Sequence, residues 1–359
     1  MNDADVVVIG GGPVGMMAAL YAERSGLSAV VLEPRASPLD KACGEGVMPG
    51  ALAALHQLGV DPAGHDFRGI RYTDGRRSVT ADFPGGPGRG VRRTELHRAL
   101  RVALQTAGVP VLPVAAAGVD QDSFSVRVAL ADSALVAADA KRVLTASHVI
   151  AADGLHSPTR RWLGLDAQPR VRRPGLRRHG LRRHFRVAPW ADRVEVHWSP
   201  SGEAYVTPVS DDTVGVAVLT ANRGPFAEHL ADFPELVGRL AGAEPASSVL
   251  GAGPFAQRAT SRACGRVLLV GDAGGYVDAL TGEGLAVGFA QARMAVGAVL
   301  AGQPSAYPRL ARQVTWRSSA LTKGLLLATQ PQWGRLATLR AAVALPGVFR
   351  GAVSVLART

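Results

Sequence analysis

Apolar positions along the chain follow two rhythms. Residues 5–9 read Asp-Val-Val-Val-Ile without alternation, the pattern of a strand buried on both faces of a parallel sheet. Helical spacing follows from Met16 to Arg24, and a second apolar run, residues 28–32, ends at Glu33. Strand, glycine turn, helix and strand make the repeating unit of a doubly wound sheet. Similar buried runs return at residues 148–152 and 266–270. Between 165 and 255 the rhythm changes. Residues 182–187, 193–198, 204–208 and 213–219 alternate polar and apolar, with turn residues at Pro200-Ser-Gly202 and Ser210-Asp-Asp212. That predicts a second, antiparallel sheet with one face toward a ligand. Helices are predicted at 51–58, at 94–107 with Thr94 as cap, at 225–240 and at about 284–300. Residues 67–90 read as strand fragments and 109–150 as a small antiparallel sheet. Residues 305–359 read as helices broken at Pro331 and Pro346.

Composition narrows the class. With 359 residues and 47% apolar content, the chain can bury a sizeable core in two units. The formal charge of +11 is nearly all arginine, which reflects either codon usage or a surface that attracts anions. No helix-turn-helix, zinc-finger or RNA-recognition pattern accompanies it, so no nucleic-acid partner is expected. An arginine-rich stretch at 170–186, with Gly175-Leu-Arg-Arg-His179 echoed at Gly180, reads as a solvated strand entry or an anion-docking site. Only Cys43 and Cys264 are present, which fits a reducing compartment and no disulfide framework. No leader-like N-terminus and no 18-residue uncharged apolar run stands out, so a soluble cytoplasmic protein is expected. No metal site is expected.

Gly10-Gly-Gly12-Pro13-Val14-Gly15 follows a strand and opens a helix. Gly10 permits the turn, Gly12 lets backbone approach a pyrophosphate, and Gly15 lets helix and strand pack closely. The helix start offers unpaired N–H groups to phosphate. Glu33 closes the next strand, where it accepts ribose hydroxyls, with Arg35 beside it. An acid there disfavours a 2′-phosphate, leaving FAD or NAD as the held nucleotide.

Two further segments each follow a buried strand. One is Ala151-Ala-Asp153-Gly154-Leu-His-Ser157; the other is Gly271-Asp272-Ala-Gly-Gly-Tyr276-Val-Asp-Ala-Leu-Thr-Gly282-Glu283-Gly284-Leu285. With these the chain resembles the flavoprotein monooxygenases of the para-hydroxybenzoate hydroxylase class and the related geranylgeranyl reductases over roughly residues 5–300. The resemblance implies FAD as cofactor. It implies pyrophosphate support from Asp153 and Gly154, a ribityl contact from Asp272, and backbone N–H groups of 282–285 beside the flavin carbonyl. Arg93, with Arg92 as alternative, matches an arginine that reaches toward the FAD linkage. The expected fold is α/β: a Rossmann-type FAD-binding domain over 1–70, 88–164 and 256–304, an antiparallel-sheet substrate domain over 71–87 and 165–255, and a helical region over 305–359.

Lys41-Ala42-Cys43-Gly44-Glu45-Gly46 resembles the reductases' segment along the flavin, with Cys43 either redox-active or a space-filler. Tyr205-Val-Thr207-Pro208 resembles the strand that roofs the flavin and faces substrate, but lacks the reductases' Trp and Phe. Ala279 stands where hydroxylases carry proline. Halogenation is disfavoured by the missing tryptophan pair. The expected activity is FAD-dependent hydroxylation of a phenolic, polyketide-like molecule by O2 through a flavin C4a-hydroperoxide. NADPH or NADH binds transiently as reductant, since no second GxGxxG exists. His197 and Tyr205 are candidates for deprotonating a phenol. The alternatives are a reductase of isoprenoid double bonds and a non-catalytic flavin binder. The tail either caps the pocket or touches a membrane to collect a lipid-like substrate. A monomer or homodimer is expected.

Overall fold

The computed structural model describes residues 2–132, 142–167, 178–329 and 331–358. Two large sheets organise them. In the first, the parallel strands Val267–Leu269, Val143–Ala151, Ala4–Ile9, Ala29–Leu32 and Val111–Leu112 lie side by side. Val126–Leu130 and Ala116–Gln121 extend it as an antiparallel flap on Val143–Ala151. Register places Ile9 beside both Leu32 and Ala151, and Ala151 beside Leu269. The residues after these strands, Gly10, Glu33, Ala152 and Val270, therefore emerge together at one edge. That carboxyl edge is where ligands bind in open α/β sheets.

Helices Pro13–Arg24, Arg93–Thr106 and Gly284–Leu300 pack on this sheet through Met16, Met17, Leu96, Leu100, Phe289 and Val296. Glycine sets the spacing: a Cβ on Gly288 would meet Val14 Cγ2 at 2.5 Å. Thr94 lies inside the first turn of its helix; Arg92 occupies the cap position and no side chain among the described residues caps it. The helix expected over 225–240 splits into Phe226–Ala231 and Pro234–Arg239, because Pro234 cannot continue the first.

The second sheet runs Glu244–Pro245, His179–Arg186, Thr213–Thr220, Gly202–Ser210, Val194–Trp198, Gly69–Thr73 and Ser78–Asp82. It is antiparallel except where Val194–Trp198 pairs parallel with Gly69–Thr73. A small sheet of Gly46–Val47, Gly88–Gly90 and His65–Phe67 bridges the two. Its strand crosses Gly202–Ser210 so closely that a Cβ on Gly90 would sit 1.7 Å from the Pro208 carbonyl oxygen.

The tail forms helices Tyr307–Thr329, Gln332–Ala344 and Pro346–Arg358, broken at both prolines. Leu326, Leu339, Phe349 and Val353 cover Ile70, Tyr72, Val194 and Trp198 of the second sheet. Among the described residues no single helix is long and apolar enough to cross a membrane. The first copy of the arginine-rich echo lies largely outside the described residues. Arg178 and Arg182 are described and are buried, not solvated, because each pairs with a carboxylate.

Candidate functional site

One cleft opens at the carboxyl edge of the first sheet and runs on to the face of the second. The glycine turn forms one end of it. A Cβ on Gly10 would meet the Ala152 carbonyl oxygen at 2.6 Å, and one on Gly15 the Gly10 oxygen at 1.9 Å. Both positions serve packing, and neither lines the cleft. Gly12 does line it, and a Cβ there would meet only Arg93 Nη2, at 3.7 Å. Among the described residues no side chain caps the helix that starts at Pro13. Its first turn thus presents backbone N–H dipoles to the cleft with a guanidinium opposite, an arrangement built for a phosphate. Val14 lines the same end.

Glu33 lies behind this turn and is buried. Its Oε2 accepts from the Gly11 N–H at 2.9 Å and from Arg35 Nη2 at 2.8 Å; Oε1 accepts from Arg35 Nε at 2.8 Å. Burial would raise its pKa, but the Arg35 and Gly11 hydrogen bonds outweigh burial and hold it below the ordinary carboxylate range. Glu33 does not line the cleft in this state; Arg35, which is exposed, stands between. Burial and the nearby Arg93 push His97 down to about 4, so the imidazole is neutral.

Arg93 carries the cationic role at this end. Its Nε is buried with no hydrogen-bond partner among the described residues, and burial lowers its pKa. Arg92 does not line the cleft. Asp272 lines the same cavity as Arg93. Burial raises its pKa, against the pull of Lys41, Arg93 and Arg160. Asp153 Oδ2 accepts from the Thr159 N–H at 2.9 Å, while its Oδ1 is buried without a partner among the described residues. Asp153 Oδ1 and Arg93 Nε thus leave a buried acceptor and a buried donor unpartnered beside the glycine turn, which fits a polar ligand. Gly154, Gly271, Gly282, Gly284 and Leu285 also line the cleft; Glu283 turns away and accepts from Ser318 Oγ at 2.6 Å.

The segment Lys41 to Gly46 forms one wall. Thr207 Oγ1 donates to the Gly44 carbonyl at 2.8 Å, and the Glu45 N–H reaches Cys43 Sγ at 3.4 Å. Lys41, Ala42, Cys43 and Gly44 all face the cavity. Arg182 donates to Asp40 and, at 3.3 Å, to the Lys41 carbonyl.

The second sheet lines the far end with Ile70, Tyr72, Val194, Val196, Tyr205, Thr207 and Leu219. Tyr205 is there, but its hydroxyl donates to the Leu280 carbonyl at 2.6 Å and burial raises its pKa well above 10. That placement opposes a base role, since the phenol stays protonated and already spends its proton on a fixed acceptor. His197 is not brought to the cleft. Val194 and Val196 point in, so strand alternation turns His197 to the opposite face, where Nε2 meets Glu195 Oε2 at 3.3 Å. Pro208 also lies off the cavity, at the Gly90 crossing.

Several residues that hold the site escaped sequence reasoning. Glu45 and His184 bridge loop and sheet. Buried Arg160 ties the Asp153 segment to the Asp272 segment through the Ala273 carbonyl at 3.0 Å and the Leu155 carbonyl at 3.1 Å. Gln291 accepts from the Gly271 N–H at 2.8 Å. Glu45 lies inside the Lys41–Gly46 segment and Arg160 three residues beyond Ser157, so these two carried a local sequence signal.

A family model described as an FAD binding domain matches residues 3–213. Menaquinone reductase of Mycobacterium tuberculosis is 32% identical over 319 residues, covering 82% of this chain and 76% of that protein. The FAD-dependent monooxygenase pytG of Aspergillus terreus is 31% identical over 190 residues, covering 49% of this chain and 56% of that one. The crystal structure of a flavoprotein/dehydrogenase from Cytophaga hutchinsonii superposes with a TM-score of 0.78 at 17% identity, covering 98% of this chain and 96% of that one.

Proposed function

The chain belongs to the FAD-binding-domain family and is an FAD-dependent oxidoreductase, and from that premise we propose that it reduces a carbon–carbon double bond of a lipid-like substrate. The observation that carries this reading is the composition of the far wall. Among the described residues the second sheet contributes no Asp, Glu or His to the cleft, and its one charged lining residue, Arg182, is paired with Asp40. A chamber of Ile70, Val194, Val196, Leu219 and Phe255 suits an apolar chain and excludes water.

In this proposal the helix start at Gly12 and Val14, with Arg93, holds the pyrophosphate. Glu33 turns to the ribose once Arg35 swings outward, Asp272 takes the ribityl hydroxyls, and backbone around Gly282 to Leu285 meets the flavin ring. FAD, when bound and reduced, supplies a hydride. The chain's residues supply the matching proton. Burial keeps the Tyr276 phenol protonated, and Tyr276 and the Cys43 thiol line the same cavity. The match to menaquinone reductase over most of the chain supports the reading, as does the reductase-like Lys41 to Gly46 segment.

Aromatic hydroxylation by O2 is the second reading. Tyr72, Tyr205, Phe255 and Tyr276 line the cleft, with the last two rings edge-on at 6.0 Å, and such a wall accepts a flat ring. Both readings use NADPH or NADH as transient reductant in a cytoplasmic monomer or homodimer, with the C-terminal helices capping the cleft and touching a membrane that holds the substrate.

Anaerobic mixing of the reduced holoprotein with a prenylated quinone separates them. Reoxidation of the flavin without O2 is expected, with a product that stays heavier by two hydrogens after its ring is chemically reoxidised to the quinone, since reduction at the ring alone would be reversed by that step. A product heavier by one oxygen, formed only with O2, overturns reduction in favour of hydroxylation.

A further inference from the structure

A second cavity, of about 640 Å³, lies apart from the flavin cleft, where helices Pro49–Gln57, Gly284–Leu300, Tyr307–Thr329 and Pro346–Arg358 meet without closing. Small residues leave it open: Gly50, Ala53, Ala54, Ala290, Gly351 and Ser354 all face it. Helix contacts normally fill such space to near-crystalline density, so a row of alanine and glycine here maintains a void. The size is that of a small-molecule site.

Its chemistry is two-part. The floor is alanine, valine and Phe289. Arg293 and Arg317 both line the cavity and are exposed at its rim, and among the described residues no Asp or Glu lines it. The surrounding chain reinforces that sign: residues 305–359 contain eight lysines and arginines and no aspartate or glutamate. Trp316, 55% exposed, stands at the mouth with the Arg317 guanidinium 5.4 Å from its ring centre. An exposed tryptophan over an apolar trough with two cations fits a ligand that has a hydrocarbon chain and an anionic head.

We propose that this groove binds one anionic amphiphile, its chain along the alanines and its carboxylate or phosphate head at Arg293 and Arg317. The inference goes beyond the redox reading and does not depend on it. The groove does share walls with the flavin cleft. Val355 lines the groove and its neighbour Leu356 lines the cleft; Ala286 lines the groove and Leu285 the cleft. An occupant therefore leans on the helix that closes the cleft.

The test uses the FAD-loaded full chain and monomeric dodecanoate, followed by calorimetry, with acetate and dodecanol as head-only and chain-only probes. Saturable binding of dodecanoate is expected, weakened roughly tenfold in R293Q/R317Q and absent in A290W, with acetate silent. The arginines are exposed, so the double variant decides even if A290W does not fold. Dodecanoate binding that both variants leave intact overturns the proposal and places the chain in the flavin cleft. Cosedimentation with phosphatidylglycerol vesicles without saturable dodecanoate binding also overturns it, in favour of a surface contact with a bilayer.

Discussion

His184 Nε2 lies 2.7 Å from Glu45 Oε2, and this contact joins the loop along the flavin cleft to the second sheet across 139 positions of sequence. The other carboxylate oxygen accepts from the Arg93 N–H at 2.9 Å, at the start of the helix that aims Arg93 into the cleft. Glu45 holds a left-handed backbone, φ 60°, which non-glycine residues adopt at a cost of about 1 kcal/mol or more. Those buried hydrogen bonds offset that strain. Glu45 is thus the joint at which loop, helix and second sheet meet.

Glu45→Ala removes both contacts and leaves Nε2 of the buried His184 imidazole without its partner, while Nδ1 keeps Ser247. The expected loss is about 2–4 kcal/mol of stability, with release of flavin during purification. Thermal denaturation and the flavin-to-protein absorbance ratio measure both. A variant that melts within about 2 °C of the parent, flavin retained, shows that Glu45 is not the joint.

The glycine turn separates packing from ligand contact. Gly15→Ala places a methyl 1.9 Å from the Gly10 carbonyl oxygen, a clash with backbone that no side-chain movement relieves. It should cost about 3 kcal/mol or more and yield little folded protein. Gly12→Ala meets only Arg93 Nη2 at 3.7 Å. That variant should fold with near-parent stability yet hold FAD roughly tenfold more weakly, because the methyl fills the space left for phosphate. Denaturant unfolding of the apoproteins and FAD titration distinguish the pair; equal damage in both contradicts the assignment.

What the sequence disclosed follows the same division. Local signals were legible: the strand–glycine–helix unit, both proline breaks in the tail, and the motifs that line the cleft, because each is written in contiguous residues. Helical spacing runs through 225–240, but Pro234 starts a new helix there and divides the stretch in two. Glu45, His184 and Arg182 were not legible as a network, since their partners lie more than 130 positions apart. The burial of Arg178 follows from Glu203, on another strand, which local charge patterning cannot reveal. His197 is the instructive case. Val194 and Val196 are the apolar phase of its strand, so period-two alternation already placed His197 on the face opposite them; only the assignment of faces to cleft and exterior was missing.

Asp272 should trade stability for binding. Burial raises its pKa, so the folded apoprotein disfavours the ionised form. Its penalty is absent at low pH, grows as pH rises from the ordinary carboxylate value of about 3.9, and levels off only above the raised folded value. Asp272→Asn removes that penalty. Apo D272N should therefore melt above the apo parent at pH 7 and match it near pH 4, while binding FAD roughly tenfold or more weakly. Melting curves across pH 4–8, with FAD titration at pH 7, report both effects. A lower melting point for apo D272N at pH 7 reverses the sign and sinks the reading.

Glu195 and His197 supply the sharpest pH test, because they decide between a structural and a catalytic histidine. Burial acts to raise the Glu195 pKa. Hydrogen bonds from His197, from Trp190 at 2.8 Å and from Arg71 at 2.8 Å overcome it and hold the carboxyl at about 2. A depressed carboxyl pKa stabilises the fold above its unfolded value of about 4.3, and that stabilisation is lost as pH falls through about 2. Its full worth is on the order of 3 kcal/mol. Glu195→Gln should therefore lower stability at neutral pH and flatten the acid limb between about pH 4.3 and 2, read by denaturant unfolding at each pH. His197→Gln removes one of the three donors and should cost about 1–2 kcal/mol, with the rate at which substrate reoxidises the reduced flavin unchanged. If His197→Gln instead slows that step at least tenfold while stability holds, the imidazole reaches the chemistry from a face on which the strand does not place it.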